Sequence, residues 1–220
     1  MIEGRPFLEP GWIVDNLDEI GHRLAEHVLM TVIAVVAGVA ISFGLALLVR
    51  YRPRLYGPVI GISGTIYSIP SLALFALLIP LTGLTLLTAE IALVSYTLLI
   101  LVRNIVTALD GVPPEVIEAA RGMGYSPFQR LWQVELPIAM PVIVAGIRIA
   151  TVTTIGLVTV TSLIGMGGLG YLIVNLGIQR YFATSILTGV VLSVALAVIS
   201  DVALLAIQRR LTPWAKARAR

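Results

Sequence analysis

The chain contains no cysteine and one lysine, Lys216, and only 12% of its 220 residues are charged. Without cysteine there are no disulfides and no thiolate-held metals, and the redox compartment cannot be read. A phosphate-binding loop of the G-x-x-x-x-G-K-[ST] type needs its lysine before a hydroxyl. Lys216 is followed by Ala217 and Arg218 near the chain end, so ATP hydrolysis by this chain is excluded. There is no HExxH, no GxSxG and no pair of acids within the apolar stretches, which argues against an enzyme. A cleavable leader is not expected, because the first 22 residues contain acids, prolines and Trp12 but no apolar core.

Apolar residues dominate instead. Hydrophobic side chains make up 58% of the sequence, and the mean hydropathy is +0.97. A soluble domain of this length needs a polar surface that these residues cannot supply. Several stretches approach the roughly 20 apolar residues that cross a bilayer as a helix. Spanning strands would alternate in polarity, so the expected class is an all-α integral membrane protein.

Hydropathy predicts five spans, near 27–49, 58–80, 85–103, 138–163 and 183–207. The second contains Pro70, Gly57, Gly61 and Gly64 and is expected to kink and pack closely against a neighbour. Residues 1–26 read as an external segment, 27–207 as a five-span domain and 208–220 as a basic tail. Of the fifteen basic residues, eleven fall on one side. They are Arg50, Arg52, Arg54, Arg103, Arg121, Arg130, Arg209, Arg210, Lys216, Arg218 and Arg220. Basic loops stay in the cytoplasm. Five spans with the amino terminus outside and the carboxyl terminus inside satisfy that rule. The arginines follow the edges of the spans rather than one soluble face, so no nucleic-acid partner is expected.

One cytoplasmic stretch, VPPEVIEAARGMGYSPFQRLWQVELPIAMP (112–141), breaks the apolar pattern. It reads as two short helices. Pro113 and Pro114 suit a first turn, with Glu115 and Glu118 where the helix dipole favours acids. Val116, Ala119, Ala120 and Met123 recur at helical spacing as a narrow apolar face, and Gly124 is a natural stop. Ser126, Pro127 and Gln129 carry the signature of a second helix start. Such a stretch could lie on lipid. Its small-residue face and flanking carboxylate suit a groove on a soluble partner better.

The pattern Glu118-Ala119-Ala120, Gly124 and then Leu136-Pro137 resembles the coupling loop of ABC importer permeases. The resemblance implies that 112–136 docks on a cytoplasmic ATP-binding subunit, through Glu115, Glu118, Ala119, Ala120, Arg121, Gly124, Leu136 and Pro137. Further stretches are similar to permeases for osmoprotectants: SIPSLALFALLIP (68–80), RNIVTALDGVPPEVIEAARGMG (103–124), ELPIAMPVIVAGIR (135–148) and IGMGGLG (164–170). The cargo implied is a quaternary amine such as glycine betaine, choline or carnitine. Methionine importer permeases are the nearest competing family, and Tyr67 before Ser68-Ile69-Pro70 favours the quaternary-amine side. Departures from the pattern include Ile100 before Arg103-Asn104 and Met166 in the glycine loop. The resemblance implies two ATP-binding subunits, a second identical or paralogous permease and an external solute-binding protein. It places the chain in a bacterial or archaeal cytoplasmic membrane with no cofactor of its own.

Tyr67, Ser68 and Pro70, with Gly165, Gly167, Gly168 and Gly170, are the candidate pathway or gate residues. The glycines are expected to form a re-entrant turn at the outer mouth. Arg148 and Asp201 fall within apolar spans, where an ionised group costs roughly 2.5–3.5 kcal/mol at mid-bilayer. They are expected to pair, with each other or with a second permease. The hydroxyls of Thr151, Thr153, Thr154, Thr159, Thr161 and Ser162 either bond backbone or line a path. His27 reads as a satisfied interfacial residue. All three tryptophans lie outside the spans, and a tight quaternary-ammonium site wants an aromatic cage. Tyr67 and Tyr96 alone make a poor one, so tight binding is assigned to the external protein.

Overall fold

A computed structural model describes residues 8–213. Among them every regular element is a helix. After a short helix α1 (Pro10–Asp15), helix α2 (Leu17–Tyr51) runs unbroken for 35 residues. It begins ten residues before the boundary expected at His27. Hydropathy misses this turn-and-more because it is charged. Arg23 bonds Glu19 at 2.8 Å and Glu26 at 2.9 Å, at the i,i+4 and i,i+3 spacings that support a helix. Residues 17–26 and the expected first span are therefore one continuous helix, packed near its start by Ile20 against Leu169 and Leu172.

The second apolar stretch is broken rather than kinked. Helix α3 (Tyr56–Ser68) and helix α4 (Ser71–Thr82) meet at 100°. Ile69 is extended and Pro70 removes a donor, so the ladder cannot continue. At 13 and 12 residues the halves are about 20 and 18 Å long, short of a hydrocarbon core of roughly 30 Å. Helix α5 (Leu86–Asp110) then extends seven residues past the expected end at Arg103.

The loop contains α6 (Pro114–Gly122) and α7 (Pro127–Arg130). The latter is not a separate helix. It passes through a wide π-type turn (Leu131–Glu135) into α8 (Leu136–Val160), giving one apolar helical run Pro127–Ile164 of 38 residues. After the glycine loop a short helix α9 (Leu169–Tyr171) widens into a π-type segment (Leu172–Ile178). This stretch is too short to cross a bilayer. Helix α10 (Ala183–Leu211) closes the fold.

Two cores fix the directions of the helices. One gathers Ala46 of α2, Leu101 and Ile105 of α5, and Leu136 and Ile143 of α8. The other gathers Met30 and Ala34 of α2, Ala89 and Leu93 of α5, and Val158 and Ile164 beyond. Helices α2 and α5 are thus parallel, with α8 antiparallel to both. The chain between α2 and α5 must return from one end of the bundle to the other, and α3 and α4 carry it. Four helical runs among the described residues are individually long and apolar enough to cross a membrane, or five if the bent pair counts as one passage. The bundle has a loop end, holding 112–135, and a glycine end, holding 165–170.

Candidate functional site

At the loop end α6 lies against the bundle on one side only. Ala120 and Val112 are buried and Val116 is half-buried, while Glu115, Glu118, Ala119, Arg121 and Met123 are exposed. The narrow apolar face expected from spacing is therefore divided. Ala120 anchors the helix, and Ala119 and Met123 look outward beside the two carboxylates. Gly124 adopts φ +83°, a conformation natural to glycine, and lets Tyr125 N–H reach back to the Ala120 carbonyl at 3.1 Å. Ser126 caps α7 reciprocally with Gln129, as its spacing predicted.

Leu136 and Pro137 stand apart from that outer surface. Leu136 is buried in the loop-end core and Pro137 is half-buried at the first turn of α8. Pro137 has no N–H to give the run, and it sits directly after the π-type turn as α8 begins.

Sequence reasoning missed what fastens this segment. Glu135 is fully buried in the π-type turn, between Arg130, whose Nε donates to it at 2.7 Å, and Arg50 at the end of α2. A buried carboxylate needs such partners, and removing one typically costs about 3–5 kcal/mol. Trp132 leans on Phe43 of α2 with ring centroids 6.1 Å apart, and on Phe128 at 6.0 Å. Only the position of an acid before Leu-Pro, read with an arginine at a span end, could have hinted at the triad.

At the opposite end Gly165 and Gly168 have φ of +81° and +79°. The loop they shape is held by α2. Glu26 accepts from the Gly168 N–H at 2.9 Å, and His27 Nδ1 accepts from the Leu169 N–H at 3.2 Å. His27 Nε2 is 3.1 Å from the Ile155 carbonyl, so the ring is neutral with its proton on Nε2. It is a satisfied residue, as expected, but it grips a loop 142 positions away. A side chain at Gly167 would overlap Glu26, and one at Gly170 would strike the Thr159 carbonyl. Arg23 lies 3.9 Å above the Tyr171 ring and completes the cluster.

Between the ends, Tyr67 and Tyr96 meet edge to face with centroids 5.7 Å apart. Tyr96 donates its hydroxyl proton to the Ile69 carbonyl at the helix break. Ser68 bonds the Gly64 carbonyl at 2.9 Å, and Pro70 is exposed where α4 begins. The break and the glycine loop share one apolar cluster, where Ile66 and Ile69 pack with Ile164 and Met166. Arg148 and Asp201 form a two-point pair within the chain, 2.8 Å at each contact. Gln208 extends it, donating to the Pro141 carbonyl at 2.9 Å. Thr151, Thr159, Thr161 and Ser162 all bond backbone carbonyls three or four residues earlier. Glu90 is buried with neither carboxylate oxygen partnered among the described residues. Trp214 and Lys216 lie outside the described residues.

An exposed polar helix fastened to two spans, a bundle with a broken passage, and a pinned glycine turn together suit a subunit that is moved from outside. Comparison with known proteins agrees. The choline transport system permease protein OpuBB of Bacillus subtilis is 38% identical over 198 residues, 90% of this chain and 91% of that protein. The osmoprotectant import permease protein OsmW of Salmonella typhimurium is 38% identical over 207 residues, 92% and 96% of the two chains. The carnitine transport permease protein OpuCB of Listeria monocytogenes is 38% identical over 212 residues, 94% and 97%. Among solved structures, a chain of the MetNI methionine ABC transporter in inward facing conformations has a TM-score of 0.81. It is 29% identical, with 90% of this chain and 98% of that one covered. Residues 7–213 match the description "binding-protein-dependent transport system inner membrane component", and the chain belongs to that family.

Proposed function

We infer that this chain is the permease subunit of an ATP-driven importer for a quaternary-amine osmoprotectant such as glycine betaine, choline or carnitine. The observation that carries the mechanism is the exposed face of α6, Glu115, Glu118, Ala119 and Met123, presented by a helix anchored through Ala120. A lone membrane bundle has no use for it, and an ATP-binding subunit with a matching cleft does. The cargo class follows from the names of relatives that cover nine-tenths of the chain or more.

The chain makes five passages in this reading, with the amino terminus outside and the loop end in the cytoplasm. The parallel course of α2 and α5 supports that count, and Arg50, Arg52, Arg54, Arg121 and Arg130 gathered at the loop end support the orientation. Two ATP-binding subunits hydrolyse the nucleotide. A second permease, identical or paralogous, completes the path, because five passages enclose little on their own. An external solute-binding protein delivers the cargo to the glycine end. The membrane is the cytoplasmic membrane of a bacterium or archaeon.

The resemblance to the MetNI chain supports methionine as a second reading of the cargo. Uptake into liposomes containing the full complex, with labelled glycine betaine and labelled methionine offered together, decides between them. ATP-dependent betaine uptake that is lost in Glu118→Lys supports both cargo and coupling. Methionine uptake alone overturns the cargo class. Undiminished uptake in Glu118→Lys and Gly124→Val overturns the coupling role of α6.

A further inference from the structure

Helix α2 touches both functional ends, and it touches them through charged or hydrogen-bonding groups rather than through apolar packing alone. At the loop end Arg50 meets Glu135, which Arg130 also holds at 2.7 Å. The Phe43–Trp132 contact lies beside them. At the glycine end Glu26 and His27 accept the backbone N–H groups of Gly168 and Leu169 at 2.9 and 3.2 Å. Between Glu26 and Arg50 the helix has neither a break nor a proline. Those 24 residues span about 36 Å. Few single elements of the fold reach so far with a fixed joint at each end.

We propose that α2 is a connecting rod, linking the coupling segment to the glycine loop through Arg50–Glu135 at one end and Glu26 with His27 at the other. The proposal rests on the coupling role of α6. Displacing the coupling segment without α2 would leave the buried Glu135 carboxylate short of a cation, so α2 moves with it. At the far end Gly167 leaves no gap between its backbone and Glu26, and a side chain there would overlap the carboxylate at 1.9 Å. Any displacement of the first turns of α2 therefore moves the glycine loop directly. Arg23 keeps the Glu26 carboxylate aimed, at 2.9 Å. Arg50, Glu135, Glu26 and His27 are positioning residues in this scheme. None of them needs to touch the cargo.

The test uses the complete importer in proteoliposomes. Because the chain has no native cysteine, spin labels at Leu163→Cys and Leu86→Cys, both exposed, report the glycine loop against α5. With the native joints the distance between the labels changes when nucleotide is added. Arg50→Met and Glu26→Ala each abolish most of that change and raise the ATP consumed per cargo by about 2- to 30-fold, the range of such couplings. Arg50→Lys and Glu26→Gln keep a cation and an acceptor oxygen and retain both readouts, which a purely architectural role would not predict. If Arg50→Met fails to assemble, Glu26→Ala carries the test alone at the far joint. A nucleotide-driven distance change that survives Glu26→Ala, or is absent with the native joints, overturns the rod. Failure of the coupling role shows elsewhere, as normal transport in Glu118→Lys.

Discussion

Gly146→Ala tests the closest approach in the bundle. A Cβ built at Gly146 of α8 lies 2.5 Å from Asn104 Cβ and 2.7 Å from Asn104 Cγ on α5. The Asn104 side chain is itself tied back to the Ile100 carbonyl at 2.8 Å. A Cβ cannot swing aside, so α5 and α8 must separate by about 0.9 Å to reach ordinary contact. Overpacking of this kind costs about 1–3 kcal/mol. In a chain of this size that corresponds to a fall in melting temperature of about 2–12 °C. The matched control is Gly156→Ala on the same helix, which meets nothing within 4 Å. There alanine gains up to about 1 kcal/mol of helix propensity, so the melting temperature holds or rises. Adding Asn104→Ala to Gly146→Ala relieves the Cγ and Oδ1 contacts but not the Cβ contact, and recovers part of the loss. Thermal unfolding of the purified complex, followed by tryptophan fluorescence, reads all four proteins. Equal behaviour of Gly146→Ala and Gly156→Ala would refute the packing argument, because the two differ only in what faces them.

Three further outcomes follow from other contacts. Arg148→Asp or Asp201→Arg alone lowers uptake and yield by opposing like charges in an apolar setting, and the double swap restores a substantial part of both. No recovery in the swap would show that the two-point pair is not what these residues supply. Tyr96→Phe leaves the Ile69 carbonyl without its donor at the helix break and destabilises the protein by about 1–3 kcal/mol, measured by thermal unfolding. Ser126→Ala removes the cap of α7, and hydrogen exchange at Gln129 and Arg130 speeds up by about 2- to 30-fold, for a loss of 0.5–2 kcal/mol. Unchanged exchange there would mean that the run through Leu131 holds the turn by itself.

Much of the bundle was legible because apolar runs, prolines and arginine placement are local signals. The capping pair Ser126 and Gln129, the stop at Gly124 and the return of Thr151 to backbone all follow from residue type and spacing. What was hidden is what joins distant parts. Glu135 reads as one more loop acid until folding brings Arg50, 85 positions earlier, beside it. Glu26 and His27 read as the polar edge of a span until the glycine loop lies on them. The length of α2 was underestimated because its first ten residues are held by ion pairs, which hydropathy counts against a helix. The severity of the break at Pro70 was also out of reach, since a proline alone sets a kink and the angle depends on what α4 packs against. The division of the α6 face is the same lesson at small scale: spacing gave Ala119 and Ala120 alike, and only packing separated them.

The break between α3 and α4 has a consequence for what can surround it. Each half-helix stops within the thickness that lipid would occupy, and a helix end leaves carbonyls with no partner in the following turn. Tyr67, Ser68 and Pro70 stand exposed there. Hydrocarbon cannot satisfy such groups, so protein or water must cover them. The chain supplies part of that cover itself, through the Tyr96 hydroxyl on the Ile69 carbonyl and the Ser68 hydroxyl on the Gly64 carbonyl. Loss of either hydroxyl would therefore leave backbone at the break that only water or a neighbouring protein could satisfy.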